Sequence, residues 1–235
     1  MGSWVKTIVL LLVCAVLTRF IPFSEFFRSV DTLVHEFGHA VMTLLLSGKV
    51  MYIELYLDHS GVTYSSVTKA WSLIPISLAG YMTASLFAWL LFRLYALGRQ
   101  RTGLQLIALI SAVSLILFVR NSYGIMWLAG FLLLTVVVLA FAPRWLRNGY
   151  YLFVAFLCLE ESVMGPISLA IMGATTPRSA GDASNLAQLT LLPAVLWGVL
   201  FSLFALWCAT RALKNFFSGS RRPAAPPRMV HSNYR

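Results

Sequence analysis

Long apolar runs recur along the chain, and they restrict its possible folds more than any other feature of the sequence. A helix needs about 20 mostly apolar residues to cross the hydrocarbon core of a bilayer. Such helices are predicted at residues 4–20, 23–46, 73–97, 104–119, 125–142, 150–172 and 191–213. We therefore expect an all-α polytopic membrane protein with about six or seven transmembrane helices and a polar loop between the last two.

Composition favours the same class of protein. Hydrophobic residues make up 59% of the 235 residues and charged residues only 11%, whereas soluble proteins contain roughly 25% charged residues. The net charge is +10, and the basic residues cluster at the ends of apolar runs, as they do in the cytoplasmic loops of membrane proteins. Because no aromatic–basic motif accompanies these charges, we do not expect nucleic-acid binding.

One segment, residues 49–66, has the pattern of a β-hairpin. It is rich in β-branched and aromatic residues and contains a turn at His59-Ser60-Gly61, so it predicts two short strands after the second helix. We expect Asp58 and His59, at the turn, to be solvated. The whole of residues 1–217 is expected to form one membrane-embedded domain. Residues 218–235, rich in Pro and Arg without apolar periodicity, are expected to be a disordered basic tail.

The motif His35-Glu36-Phe37-Gly38-His39 lies in the second predicted helix. Residues four apart on a helix share one face, so His35 and His39 can bind one Zn²⁺ through their imidazoles. Glu36 would act as general base and take a proton from water activated by the metal. This is the H-E-x-x-H signature of zinc metalloproteases. The alternative is a membrane-surface helix whose two histidines only form hydrogen bonds.

Two histidines leave a zinc site one protein ligand short, and several acids are candidates for the third. Asp31 lies on the same helix face as His35, but one straight helix rarely supplies three ligands. Asp182 precedes a helical run, where capping is the ordinary role, yet a carboxylate there can also reach into a membrane cavity. Glu160 and Glu161 lie within an apolar helix, where they can be ligands, a proton relay or a polar lock between helices. These alternatives stay open on the residues alone.

The run HEFGHAVMTLLLSGKVMYIEL resembles the active-site segment of site-2 protease-like intramembrane metallopeptidases, and is most similar to the compact bacterial branch without a PDZ domain. In that family HExxH lies on a transmembrane helix, a Gly ends the helix and a β-hairpin follows. An Asp from a later helix, typically in an LDG motif, completes the zinc site. This chain has no LDG, and its best match is Gly181-Asp182. The resemblance thus implies Asp182 as the third ligand, with Asn185 orienting the substrate or that Asp.

The resemblance also implies a function. We expect a zinc endopeptidase in the bacterial plasma membrane that hydrolyses peptide bonds in or near transmembrane segments, with Glu36 as general base and Zn²⁺ as cofactor. Its partners would be the lipid bilayer and a membrane-protein or peptide substrate, which the hairpin would hold extended by strand addition. The alternative, motivated by Glu160 and Glu161, is a non-proteolytic membrane protein, such as a transporter or a chaperone-like protein, that retains a zinc site.

Overall fold

The computed structural model describes residues 24–219, which form seven helices and one two-stranded antiparallel sheet. The helices are α1 (Ser24–Leu45), α2 (Leu73–Ala96), α3 (Gln100–Leu117), α4 (Ser122–Phe141), α5 (Arg144–Thr175), α6 (Gly181–Leu189) and α7 (Ala194–Gly219). The strands are β1 (Lys49–Leu55) and β2 (Gly61–Ser66), and single 3₁₀ turns at Ala70–Ser72 and Pro177–Ser179 precede α2 and α6. The expected all-α fold with one short hairpin is confirmed.

Five of the described helices, α2, α3, α4, α5 and α7, are long and apolar enough to cross a membrane. The helix α1 is not among them, since it carries Glu25, Arg28, Asp31 and Glu36 within 22 residues. The first predicted helix, residues 4–20, lies outside the described residues, as do residues 220–235 of the expected tail.

One predicted helix boundary and one predicted loop differ from the structure. The helix α5 begins at Arg144 rather than near residue 150 and runs for 32 residues. Gly149 lies inside this helix and does not interrupt it, because one glycine lowers the stability of a helix by only about 1 kcal/mol relative to alanine. The expected polar loop before the last helix contains α6, a nine-residue helix whose first turn includes Asp182.

The helices α1 and α2 approach each other closely at Gly38. A Cβ atom at this position would lie 2.8 Å from the side chain of Thr83 and 3.0 Å from the carbonyl oxygen of Ala79. Glycine in the HEFGH motif therefore lets the backbone of α1 pack directly on α2, as small residues do between membrane helices. This contact holds the motif between α2 on one side and the hairpin on the other.

The hairpin has one occupied edge and one open edge. In its register Ile53 of β1 lies opposite Thr63 of β2. On the other side of β1, the Ile53 amide donates to the carbonyl of Phe118 at 2.9 Å, and the Arg120 amide donates to the carbonyl of Ile53 at 3.2 Å. Among residues 24–219, β2 pairs with no strand except β1, so its outer edge has no strand beside it.

Candidate metal centre

The two histidines of the motif point at the same place. His35 and His39 lie one turn apart on α1, and their Nε2 atoms are 3.0 Å from each other. Their rings meet edge to face with centroids 4.6 Å apart. This is the arrangement that the four-residue spacing predicts on a helix.

Asp182 joins these histidines from a distant part of the chain. Its Oδ2 atom lies 3.2 Å from Nε2 of His35 and 3.2 Å from Nε2 of His39. It reaches them from the first turn of α6, directly after Gly181, whose φ is +42°. The three side chains offer ligand atoms that all lie within 4.8 Å of one another, and this group could hold a metal ion.

The imidazole of His39 is oriented by a main-chain acceptor. Its Nδ1 atom lies 2.7 Å from the carbonyl oxygen of Ile76. Because a carbonyl oxygen only accepts, Nδ1 must donate the proton, and in the neutral ring Nε2 is left with its lone pair. A hydrogen bond of this kind on the far nitrogen is what fixes ligating histidines in metal sites.

Gly80 of α2 makes room for both rings. A Cβ atom on Gly80 would lie 2.6 Å from Nε2 of His39 and still closer to Nε2 of His35. The backbone of α2 therefore forms the floor of the site. Tyr81, the next residue, packs its ring edge-on against His35 with centroids 4.4 Å apart.

The donor set fits zinc. Two imidazole nitrogens and one carboxylate oxygen are a usual protein contribution to a catalytic zinc site, which leaves a fourth position for water or substrate. The site opens into a cavity of about 400 Å³. The cavity is lined by the three donors, by Glu36 and Tyr81, and by residues 59–63 of the hairpin, among others.

Glu36 lies in the same cavity and is held by the hairpin. Its side chain is only 4% exposed. The hydroxyl of Thr63 donates to Oε2 of Glu36 at 2.6 Å. The motif thus places the Glu36 carboxylate in the same cavity as the two histidines, with one carboxylate oxygen hydrogen-bonded to Thr63.

The other acidic candidates for a ligand take different positions. Asp31 and Glu161 line the cavity but do not join the cluster with the histidines. Glu161 forms an ion pair with Arg28, which links α5 to α1. Glu160 is buried. Asn185 lines the cavity one turn after Asp182.

The expectation that both turn residues of the hairpin are solvated is half wrong. Asp58 is exposed, and the hydrogen bonds it accepts from Ser60 hold its pKa below the usual value. His59 instead docks on α1: its Nδ1 atom lies 3.0 Å from the Ser29 hydroxyl, and its carbonyl accepts from Thr32 at 2.7 Å. The reason is that the turn folds back over the start of α1 instead of projecting away from it.

Sequence reasoning did not single out Thr63, Gly80 or Tyr81. Gly80 stands in an apolar helix where a small residue has many possible roles, and Thr63 is one of several hydroxyl residues in the hairpin. The roles of these three residues become apparent only from their contacts with Glu36 and the two histidines in the folded chain. A local signal was present solely for the hairpin that carries Thr63.

A comparison with protein families gives one match. The model of a family described as Peptidase M50B-like matches residues 5–212 of the chain. This range contains α1, the hairpin and α6, and therefore every residue of the cluster. No curated protein and no solved structure matches the chain significantly.

Proposed function

Because the chain belongs to the Peptidase M50B-like family, a family of membrane peptidases, we propose that it is an intramembrane zinc endopeptidase. The five long apolar helices within residues 24–219, together with the family, make it a multi-pass membrane protein. The proposed reaction is hydrolysis of peptide bonds in or near the transmembrane segments of other proteins. We propose the bacterial plasma membrane as its location, as the sequence resemblance implies.

The observation that supports this proposal most is the convergence of three donors beside one acid. The ligand atoms of His35, His39 and Asp182 lie within 4.8 Å of one another. Glu36 lines the same cavity. A structural carboxylate–histidine cluster needs no neighbouring buried acid and no cavity. A hydrolytic site needs both, because water and substrate must reach the acid that accepts the proton.

In the proposed site His35, His39 and Asp182 hold the metal and Glu36 is the general base. Zinc, when bound, supplies a Lewis acid that makes water more acidic and polarises a carbonyl group. Glu36 takes one proton from the attacking water as its oxygen bonds to the substrate carbonyl carbon. Glu36 then gives that proton to the amine as the peptide bond breaks, so its carboxylate is regenerated.

We propose that the substrate lies as an extended strand along the outer edge of β2. This edge has no other strand beside it among the described residues, whereas β1 already binds the segment that follows α3. Residues 61–63 of β2 also line the cavity that contains Glu36. A peptide added to this edge is held by main-chain hydrogen bonds with its carbonyl groups unfolded from any helix, which exposes them to attack.

The second candidate is a non-proteolytic membrane protein that retains a zinc site. Glu160 and Glu161 motivate it, since acids within a membrane often mark ion paths. The ion pair of Glu161 with Arg28 joins α5 to α1, which is a structural role for this acid. We therefore favour the endopeptidase.

The proposal is tested on the full chain purified in detergent, with zinc content measured and unfolded β-casein as the probe. The expected result is cleavage by the wild-type protein, found by mass spectrometry, and none by Glu36→Gln, which keeps its zinc. Glu54→Gln is the matched control, because Glu54 lies in the hairpin and bonds to Tyr56 rather than lining the cavity. Zinc-loaded wild-type protein that shows no Glu36-dependent cleavage would contradict the proposal.

A further inference from the structure

Thr63 is the residue of β2 whose side chain reaches the acid of the HExxH motif. Its Oγ1 atom lies 2.6 Å from Oε2 of Glu36 and 3.1 Å from the main-chain oxygen of the same residue. A hydroxyl has one proton to donate. The carboxylate is both the nearer and the more strongly accepting group, so the bond to Oε2 is the one that is formed.

The hydroxyl of Thr63 is fixed in place through the strand that carries it. Thr63 lies opposite Ile53 in the sheet, and Ile53 is fully buried with main-chain bonds to the segment after α3. The β-branched side chain of threonine has few rotamers available. The backbone of Thr63 is therefore held by β1, and β1 by the segment after α3, so the hydroxyl has little freedom to move.

The contact belongs to a row of hydrogen bonds that joins the turn and β2 to one face of α1. Ser29 and Thr32 bond to His59, and Glu36 bonds to Thr63. Positions 29, 32 and 36 follow the spacing of a single helix face. The hairpin thus lies along α1 from its first turns to the HExxH motif, and its last contact in this row is with the acid itself.

The second oxygen of Glu36, Oε1, lies beside Gly61. A Cβ atom at Gly61 would lie 3.0 Å from Oε1 and 2.8 Å from Cγ of Glu36, so glycine at this position keeps that space free. One carboxylate oxygen is bonded to Thr63, and the other can accept a proton from water in the cavity. A general base needs such an arrangement, in which one oxygen is held in place and the other is free to accept the proton.

We propose that Thr63 is a positioning residue that holds the Glu36 carboxylate in its working orientation. This inference rests on the proposed function and extends it: β2 serves the acid on its inner face as well as the substrate on its outer edge. Thr63 does not contact the reacting groups itself. Its loss should therefore slow the chemical step and leave substrate binding and zinc binding nearly unchanged.

The test uses the full chain in detergent with fluorescently quenched β-casein as the probe, and it measures kcat, KM and zinc content. Thr63→Val keeps the branched shape and removes the donor, and we expect kcat to fall about tenfold to hundredfold with KM within about twofold. Thr63→Ser keeps the donor and should retain most of the wild-type kcat. Thr68→Val, at an exposed threonine outside the cavity, is the matched control and should behave as wild type.

Thr63→Ala, which also lacks the hydroxyl, is measured in parallel so that the result does not depend on one variant folding. Wild-type kcat in Thr63→Val or Thr63→Ala, or a Thr63→Ser variant as slow as Thr63→Val, would overturn the role of Thr63. Those outcomes leave the proposed function standing as long as cleavage still depends on Glu36. Absence of Glu36-dependent cleavage in the wild-type protein would instead contradict the proposed function.

Discussion

A Cβ atom on Gly80 would lie 2.6 Å from Nε2 of His39, a separation that two non-bonded atoms cannot tolerate. The helix α2 therefore needs a residue without a side chain where it passes beneath the histidines. The same closeness brings the carbonyl of Ile76, one turn earlier, to within hydrogen-bond distance of the His39 ring. Gly80 and His39 together determine how tightly α2 packs against the proposed metal site.

We expect Gly80→Ala to lower zinc affinity by about tenfold or more, because displacing the two rings disturbs the donors as the loss of an orienting hydrogen bond does. Isothermal titration of the metal-depleted protein with zinc measures this change. Gly149→Ala is the control, since a Cβ at Gly149 meets nothing within 4 Å and alanine is the better helix former. Equal zinc affinity in Gly80→Ala and wild type would show that the rings do not need this space.

Replacement of the acids in the cavity should separate the proposed ligand from its neighbours. Asp182→Asn is expected to weaken zinc binding at least about tenfold, because a neutral amide replaces the carboxylate that lies 3.2 Å from both histidines. Asp31→Asn makes the same chemical change in the same cavity and should leave zinc binding close to wild type. Zinc content after dialysis against a weak chelator gives the comparison. Loss of zinc in Asp31→Asn with retention in Asp182→Asn would reverse the assignment.

His59 has a left-handed backbone conformation, with φ of +64°, which costs a residue other than glycine about 1 kcal/mol. His59→Ala and His59→Gly both lose the hydrogen bond to Ser29, but only glycine relieves the backbone. We therefore expect His59→Gly to be more stable than His59→Ala by about 1 kcal/mol, measured by thermal unfolding in detergent.

The neighbouring residue supplies the control for this comparison. Asp58 does not have a positive φ, so the order should reverse there and Asp58→Ala should be the more stable variant. The same order at both positions would mean that the backbone conformation of His59 does not determine its stability effect.

Much of the fold was predictable because it depends on local patterns. The apolar runs between residues 23 and 213 predicted helices that the structure contains, and the alternating segment at 49–66 predicted the two strands. The predictions were wrong where one local sequence pattern is compatible with two structures. The segment around Asp182 has the polar composition of a loop, yet its residues form the short helix α6, which packs against α2 and α7.

The candidate site was predictable in its local half. A spacing of four on a helix forces His35 and His39 onto one face, so their proximity followed from the sequence. The contacts of Thr63 with Glu36 and of Gly80 with the histidines join separate elements. No periodicity within one element carries information about such contacts.

The sequence by itself determined that this chain forms apolar helices, that a hairpin follows the HExxH helix, and that two imidazoles share one helix face. These properties follow from backbone geometry and from the burial of apolar side chains, which act over a few residues. The family resemblance implied Asp182, but the residues themselves left several acids open, and it is the tertiary structure that brings Asp182 to those imidazoles and pairs Glu161 with Arg28. That choice depends on how the helices pack, because carboxylates far apart in the chain become neighbours only through the close approach of one helix to another.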